Sequence, residues 1–345
     1  MRTMMLKRCV VLALKKTESG ASHKRVRMAW KVLISAPYFQ PVVEQFRRVF
    51  QENQIEIVVP KVNERLSEKE LLTLIDGIDG VIGGDDRFTE RVLKRAKRLK
   101  VISKWGTGID SIDEAAAKRL GIAVRNTPNA FTDPVSDSVL GYMLCFARQL
   151  PWMDRDVKSR RWSKKRAGVS LKETTLGVIG LGNVGKAVVR RASSFGMRIV
   201  GTDVVEIQSE FLDEYDVEIL DKQTLLSTSD FVSLNCTLTP VSHHIIDAAA
   251  LSMMKPTAYL VNTARGPLVD EDALASALEC GIIAGAALDV FEVEPLPLSS
   301  KLRELDNCML APHNSNSSPE AWQRVHESTL ENLLEVLGQH REEMA

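Results

Sequence analysis

"GVIGLGNVGKAVVRRASSFGMRIVGTD" occupies residues 177–203, and its flanks decide how the whole chain is read. A G-x-G-x-x-G match alone says little, because glycine is common. Here the run "TTLGVI" before Gly180 has strand character, and "VGKAVVRRASSF" after Gly182 repeats apolar residues at helical spacing. The glycines therefore sit at a strand-to-helix turn. The first permits the tight turn, the second lets a pyrophosphate approach the backbone, and the third lets helix and strand pack closely. The helix start offers free N–H groups and positive partial charge to phosphate. The expected cofactor contacts are Gly180, Gly182, Asn183, Val184 and Gly185. The next strand, "RIVGTD", ends on Asp203, about 20 residues on, where a carboxylate accepts hydrogen bonds from a ribose. Its charge would repel a 2′-phosphate, and Val204 and Val205 supply no arginine to hold one. The turn is expected to bind NAD rather than NADP.

Outward from this turn, strands and helices alternate on both sides. Upstream, "KVLISA", "IEIVVP", "GVIGG" and "KVISKWG" read as strands, with "VVEQFRRVFQEN", "SEKELLTLI" and "TERVLKRAKRL" as helices between them. Ser67 and Glu70 form a capping-box pattern. A long helix, "VSDSVLGYMLCFARQL", follows Pro134, and the polar segment "DRDVKSRRWSKKR" leads into the second block. That block continues through "FVSLNC", "AYLVNTA", "AGAALDV" and "CMLAPH" to a charged terminal helix. Such alternation predicts an α/β fold of two doubly wound parallel sheets.

Composition narrows the function classes. With 345 residues, 44% hydrophobic and 26% charged, the chain is long enough for two domains of ordinary size. Lys+Arg and Asp+Glu are both 45, a balance that gives no support to nucleic-acid binding. No apolar run approaches the ~18 residues of a membrane helix. The five cysteines are scattered without a C-x-x-C pair, which predicts reduced thiols, no metal site and a cytoplasmic location. Residues 1–28 are basic with one short apolar run, Cys9–Leu14, and are expected to be a disordered extension or an upstream start ahead of Met28.

Chemistry is expected at the carboxyl ends of the second block's strands, where open α/β sheets place their ligands. Arg265 follows one strand, Asp289 and then Glu294 the next, and His313 the last. Hydride transfer to or from a hydroxy acid needs a guanidinium to grip the carboxylate in a fork. It also needs a group titrating near neutrality to move the hydroxyl proton, and a carboxylate beside it. Arg265, His313 and Glu294 supply one of each.

The carriers "GVIGLGNVG", "LVNTARGPLVDEDAL", "GAALDVFEVEP" and "APH", with weaker echoes in "VISKWGTGIDSID" and "NTPNAFTDPVSD", resemble the D-isomer-specific 2-hydroxyacid dehydrogenases, which include D-3-phosphoglycerate dehydrogenase. The resemblance covers nearly everything after Met28 and implies a catalytic set of Arg265, Glu294 and His313. It implies a flavodoxin-like substrate domain (29–128, rejoined by 318–345) into which an NAD-binding domain (129–317) is inserted, with the site in the cleft between them. It further implies backbone amides near Gly106 and Thr107 on the substrate carboxylate, Thr239, Ala264 and Asp289 against the cofactor, and a homodimer.

Three features depart from the pattern. "HNSNSS" puts Asn314 and Ser315 where an aliphatic residue and Gly or Ala are usual, predicting a more polar nicotinamide-side pocket. "GGDDRFT" puts Gly83 and Gly84 where phosphoglycerate enzymes carry an Arg-Ser phosphate contact, with Asp85 and Asp86 beside them and Arg87 as the nearby cation. No regulatory domain is expected after Ala345. Glu294 in place of Gln argues against formate oxidation. The rivals to a general 2-keto acid reductase are D-3-phosphoglycerate dehydrogenase proper and, from another class, an NAD-sensing corepressor of the same fold. Hydroxypyruvate, glyoxylate, phenylpyruvate, phosphohydroxypyruvate and phosphite are all used within the resemblance group.

Overall fold

The structure, a computed structural model, describes residues 30–162 and 168–343. The basic N-terminal segment, with the expectation placed on it, lies outside the described residues. The first sheet is built from β1 (Trp30–Ile34), β2 (Ile55–Val58), β3 (Gly80–Gly83), β4 (Val101–Lys104) and β5 (Ala123–Arg125). Its order is β2-β1-β3-β4-β5, parallel throughout, which is the flavodoxin-like winding. Strands β3 and β4 are buried along their whole length, as a parallel strand covered on both faces must be.

The second sheet comprises β6 (Thr175–Ile179), β7 (Arg198–Thr202), β8 (Val217–Ile219), β9 (Phe231–Leu234), β10 (Tyr259–Asn262), β11 (Gly285–Leu288) and β12 (Cys308–Leu310). Its order is β12-β11-β10-β9-β6-β7-β8. The winding reverses between β6 and β9, and the crevice above such a reversal is where this architecture binds ligands. The sheet is filled from both sides by Val178, Val200, Val232, Leu260 and Ala286, all fully buried.

The terminal helix Pro319–Glu343 returns to the first sheet. Ser103 Oγ donates to Thr329 O at 2.7 Å, Trp105 Nε1 to His326 Nδ1 at 3.0 Å, and Asn332 Nδ2 to Asn126 O at 3.0 Å. The packing is close: a Cβ at Gly80 would lie 2.8 Å from Leu333 Cδ1.

Local signals act as their chemistry requires. The Ser67–Glu70 box forms in both directions, with Ser67 N donating to Glu70 Oε2 at 2.8 Å and Glu70 N to Ser67 Oγ at 3.3 Å. The stretch read as one helix after Pro41 is instead a 3-10 segment, Gln40–Phe46, followed by the helix Arg47–Glu52. The long helix runs Thr132–Arg148 and stops at Gln149, which takes the left-handed conformation (φ 54°). A further helix, Leu150–Lys158, then takes in the first five residues of what reads in sequence as a polar connector.

Candidate active site

The two sheets meet along a cleft lined by the carboxyl ends of their strands. At the glycine turn, Gly180 adopts φ +94°, a conformation that disfavours any side chain. A Cβ on Gly185 would lie 2.0 Å from Gly180 O, so the helix Asn183–Ser194 docks against the turn only because position 185 has none. At Gly182, by contrast, a Cβ would meet nothing within 4 Å, so this backbone faces open space at the helix N-terminus. Asp203 at the end of β7 accepts from Leu181 N at 2.6 Å and from Val205 N at 3.2 Å, which fixes the carboxylate beside the turn. Each oxygen retains a lone pair for a ribose hydroxyl. Just past β9 and β10, Asn235 Oδ1 and Thr263 Oγ1 are buried with no hydrogen-bond partner. Open backbone at a helix start, a poised carboxylate and orphaned polar atoms above the switch point fit a dinucleotide.

The other expected cofactor residues serve local structure as well. Asn183 Nδ2 donates to Asn129 Oδ1, joining the helix start to the connecting segment, and Val184 packs into the adjoining core. Thr239 closes a turn with Ser242, its N donating to Ser242 Oγ at 2.8 Å. Ala264 N donates to Asn262 Oδ1 at 3.0 Å, and Asn262 Nδ2 donates to Arg265 O at 2.8 Å. Asn262, not singled out in sequence, thus shapes the whole arginine loop.

Asp289, expected against the cofactor, also anchors the loop that carries His313. It is 1% exposed, and its two oxygens accept from Asn314 N at 2.9 Å and Ser315 N at 2.8 Å, while its carbonyl accepts from His313 N at 2.7 Å. His313 itself sits at φ 52°, a left-handed conformation rare for a residue with a side chain. Three hydrogen bonds to one aspartate hold that strained turn. They also turn the backbone amides of Asn314 and Ser315 inward, and Ser315 is 6% exposed.

His313 Nδ1 lies 3.0 Å from Glu294 Oε2, and Glu294 Oε1 accepts from Phe291 N at 3.0 Å. With Nδ1 given to the carboxylate, Nε2 is the nitrogen left for the cleft. Burial opposes a charged imidazole, but the hydrogen bond and charge of Glu294, joined by Asp85, outweigh it and raise the histidine above its ordinary pKa. Glu294 is correspondingly lowered: burial would raise it, and His313 overrides that. Glu292, a neighbouring carboxylate, pairs with His244 instead.

Arg265 crosses the cleft. Its Nε donates to Asp110 Oδ1 at 2.8 Å, and its Nη1 to Ala264 O at 2.8 Å. The loop it reaches holds Gly106 (φ +118°) and Thr107, whose Oγ1 donates to Thr127 O at 3.0 Å. Four residues of this wall escaped sequence reasoning: Gly108, Asp110, Lys104 and Tyr38. For Gly108, Asp110 and Lys104 the signal was the weak echo "SKWGTGID", in which no residue type is diagnostic alone, and Tyr38 lies outside that stretch. Of the two aspartates near the expected phosphate position, Asp86 is core: it is 0% exposed and accepts from Ser35 Oγ, Leu66 N and Gly84 N. Asp85 faces Lys104.

Two parallel sheets meeting at a dinucleotide crevice, with an acid–base pair and a guanidinium across from it, define a two-domain nicotinamide-dependent oxidoreductase. Residues 140–315 match the NAD binding domain of the D-isomer specific 2-hydroxyacid dehydrogenases. The chain is 41% identical over 257 residues to a glyoxylate reductase of Thermofilum pendens, covering 73% of this chain and 76% of that one. It is 38% identical over 309 residues to a D-3-phosphoglycerate dehydrogenase of Methanocaldococcus jannaschii, covering 89% of this chain but 57% of the relative's length. A crystal structure of D-lactate dehydrogenase from Aquifex aeolicus, complexed with NAD and lactic acid, superposes with a TM-score of 0.81 at 27% identity, over 90% of this chain and 96% of that one. The chain belongs to the D-isomer specific 2-hydroxyacid dehydrogenase family, and its cofactor is NAD.

Proposed function

We propose that this protein interconverts a small D-2-hydroxy acid and its 2-keto acid. Bound NADH supplies the hydride for the reductive direction. Arg265 grips the substrate carboxylate with its planar fork, aided by the amides of Gly106 and Thr107. His313, held as imidazolium by Glu294, donates the proton to the forming alkoxide through Nε2, and as neutral imidazole takes it back in the reverse direction. Asp289 keeps the histidine turn in place, and Asp203 receives the adenosine ribose. Asp110 holds Arg265 in its crossing pose.

The observation that supports this most is the His313–Glu294 pair at 3.0 Å, in a cleft whose opposite wall receives Arg265. The substrate domain is taken as 29–128 with 318–345, and the NAD domain as 129–317. A cytoplasmic homodimer is the assembly proposed, supported by apolar surface on Leu150 and Val157, which are 50% and 53% exposed. Loss of NADH absorbance with a panel of 2-keto acids tests the reaction. Turnover of glyoxylate, hydroxypyruvate or pyruvate is expected, and inertness toward every 2-keto acid would refute it.

A further inference from the structure

Lys104 closes β4 opposite Gly83, the last residue of β3, so its side chain leaves the sheet at the mouth of the cleft. Its ammonium is sunk, with the side chain 5% exposed, whereas its partner Asp85 is 45% exposed. Nζ lies 3.1 Å from Asp85 Oδ1 and donates to Trp105 O at 3.0 Å. The same ammonium stands 3.5 Å from where a Cβ on Gly106 would be, directly beside the loop proposed to receive the substrate carboxylate. Asp85 belongs to the same space. Burial would raise its carboxyl, yet Lys104, Arg265 and His313 together hold it well below the usual carboxylate range. Tyr38, stacked on Trp105 at 4.8 Å, also senses Asp85: burial first, then Glu64, Asp289, Asp85 and Glu294, raise its phenol.

The charges of the cleft are nearly paired before any substrate arrives. Glu294 is matched to His313, Asp110 to Arg265 and Asp85 to Lys104. One carboxylate is accommodated by Arg265. A phosphate dianion on the same substrate would need further positive charge, and the one buried ammonium at hand is already neutralised. The exposed Asp85 oxygens are, however, good acceptors for a neutral hydroxyl, and a lysine has three N–H donors to share.

We propose that Asp85, backed by Lys104, is the specificity-determining residue of the cleft: it accepts a hydrogen bond from a hydroxyl on carbon 3 of the 2-keto acid and turns away a phosphate at that carbon. This rests on the proposed keto-acid reaction and names its substrate class, a 3-hydroxy-2-keto acid. Lys104 orients the carboxylate and supplies a donor to the same hydroxyl oxygen.

The test compares kcat/KM for hydroxypyruvate, pyruvate and phosphohydroxypyruvate in the wild type, Asp85→Asn and Asp85→Ala. Removing a charged acceptor of a substrate hydroxyl is expected to lower the hydroxypyruvate-to-pyruvate ratio about tenfold or more. In Asp85→Ala the released ammonium should raise phosphohydroxypyruvate relative to hydroxypyruvate by about tenfold, and Lys104→Met added to it should reverse that gain. Glu294→Gln, the control, should change all three substrates together and leave the ratios alone. Both Asp85 ratios staying within about twofold of wild type would overturn the proposal. Calorimetric binding of D-glycerate, D-lactate and D-3-phosphoglycerate to the enzyme–NADH complex reads the same ratios without turnover. A chain that reduced no keto acid would refute the proposed reaction, while those binding ratios would still decide the role of Asp85.

Discussion

The guanidinium of Arg265 occupies the place where a side chain at position 108 would begin: a Cβ on Gly108 would lie 1.4 Å from Nη2 and 2.6 Å from Cζ. The obstructed atoms are the far end of a flexible side chain, and Gly108 has no left-handed φ, so an alanine there costs the fold little. It costs the site its anchor. Gly108→Ala should leave the melting temperature close to wild type while lowering kcat/KM about a hundredfold, as a misplaced positioning group does. Normal kinetics in that variant would show that the crossing pose of Arg265 has no role in binding.

Arg265 itself should be less forgiving. Arg265→Ala removes the carboxylate anchor and leaves Asp110 unpaired, and is expected to cost about 3–5 kcal/mol in kcat/KM. Arg265→Lys should recover only part, because an ammonium lacks the planar fork. Steady-state kinetics on both variants, with one keto acid, reads this directly.

Asp203 should set the cofactor preference. Its carboxylate is fixed by the amides of Leu181 and Val205, and a 2′-phosphate brought to it would meet like charge. The ratio of kcat/KM with NADH to that with NADPH should favour NADH, and Asp203→Ala should narrow it. A wild type that uses NADPH equally well would contradict this.

Asp289 is expected to matter for stability and rate together. Asp289→Asn keeps the size but turns a donor toward the amides of Asn314 and Ser315, leaving the left-handed turn at His313 poorly held. A destabilisation of about 1–3 kcal/mol is expected from the broken buried hydrogen bonds, together with a large fall in kcat. Denaturant melts and kinetics on one preparation measure both.

How far these relationships were legible in the sequence depended on range. The glycine turn, Asp203 and the Ser67–Glu70 cap are set by neighbours within one or two elements, and spacing reveals them. Arg265, Glu294 and His313 were legible as types at strand ends. The wall opposite them was not: Gly108 and Asp110 meet Arg265 only because two separate sheets fold against each other, and Lys104 meets Asp85 only through the pairing of β4 with β3. Asp86 shows the converse, since its neighbour Asp85 carries the same charge in sequence yet one is core and one lines the cleft. Strands β5 and β8, three residues each, are too short for periodicity to expose. The hold of Asp289 on the left-handed turn at His313 was not legible, because that turn leaves no mark in residue type.

The pH dependence of keto-acid reduction is the most direct test of the His313–Glu294 pair. Reduction requires the imidazolium, so kcat/KM should be full below the histidine pKa and fall as pH rises through it. Because Glu294 raises that pKa, the wild-type fall should lie above the ordinary histidine value of about 6.5. Glu294→Gln keeps the shape and removes the charge, so its fall should move to lower pH, while His313→Ala should lose most turnover at every pH. Measured as NADH consumption from about pH 5 to 10, a Gln variant with the wild-type profile, or a His313→Ala variant with near-normal turnover, would contradict the assignment of proton transfer to this pair.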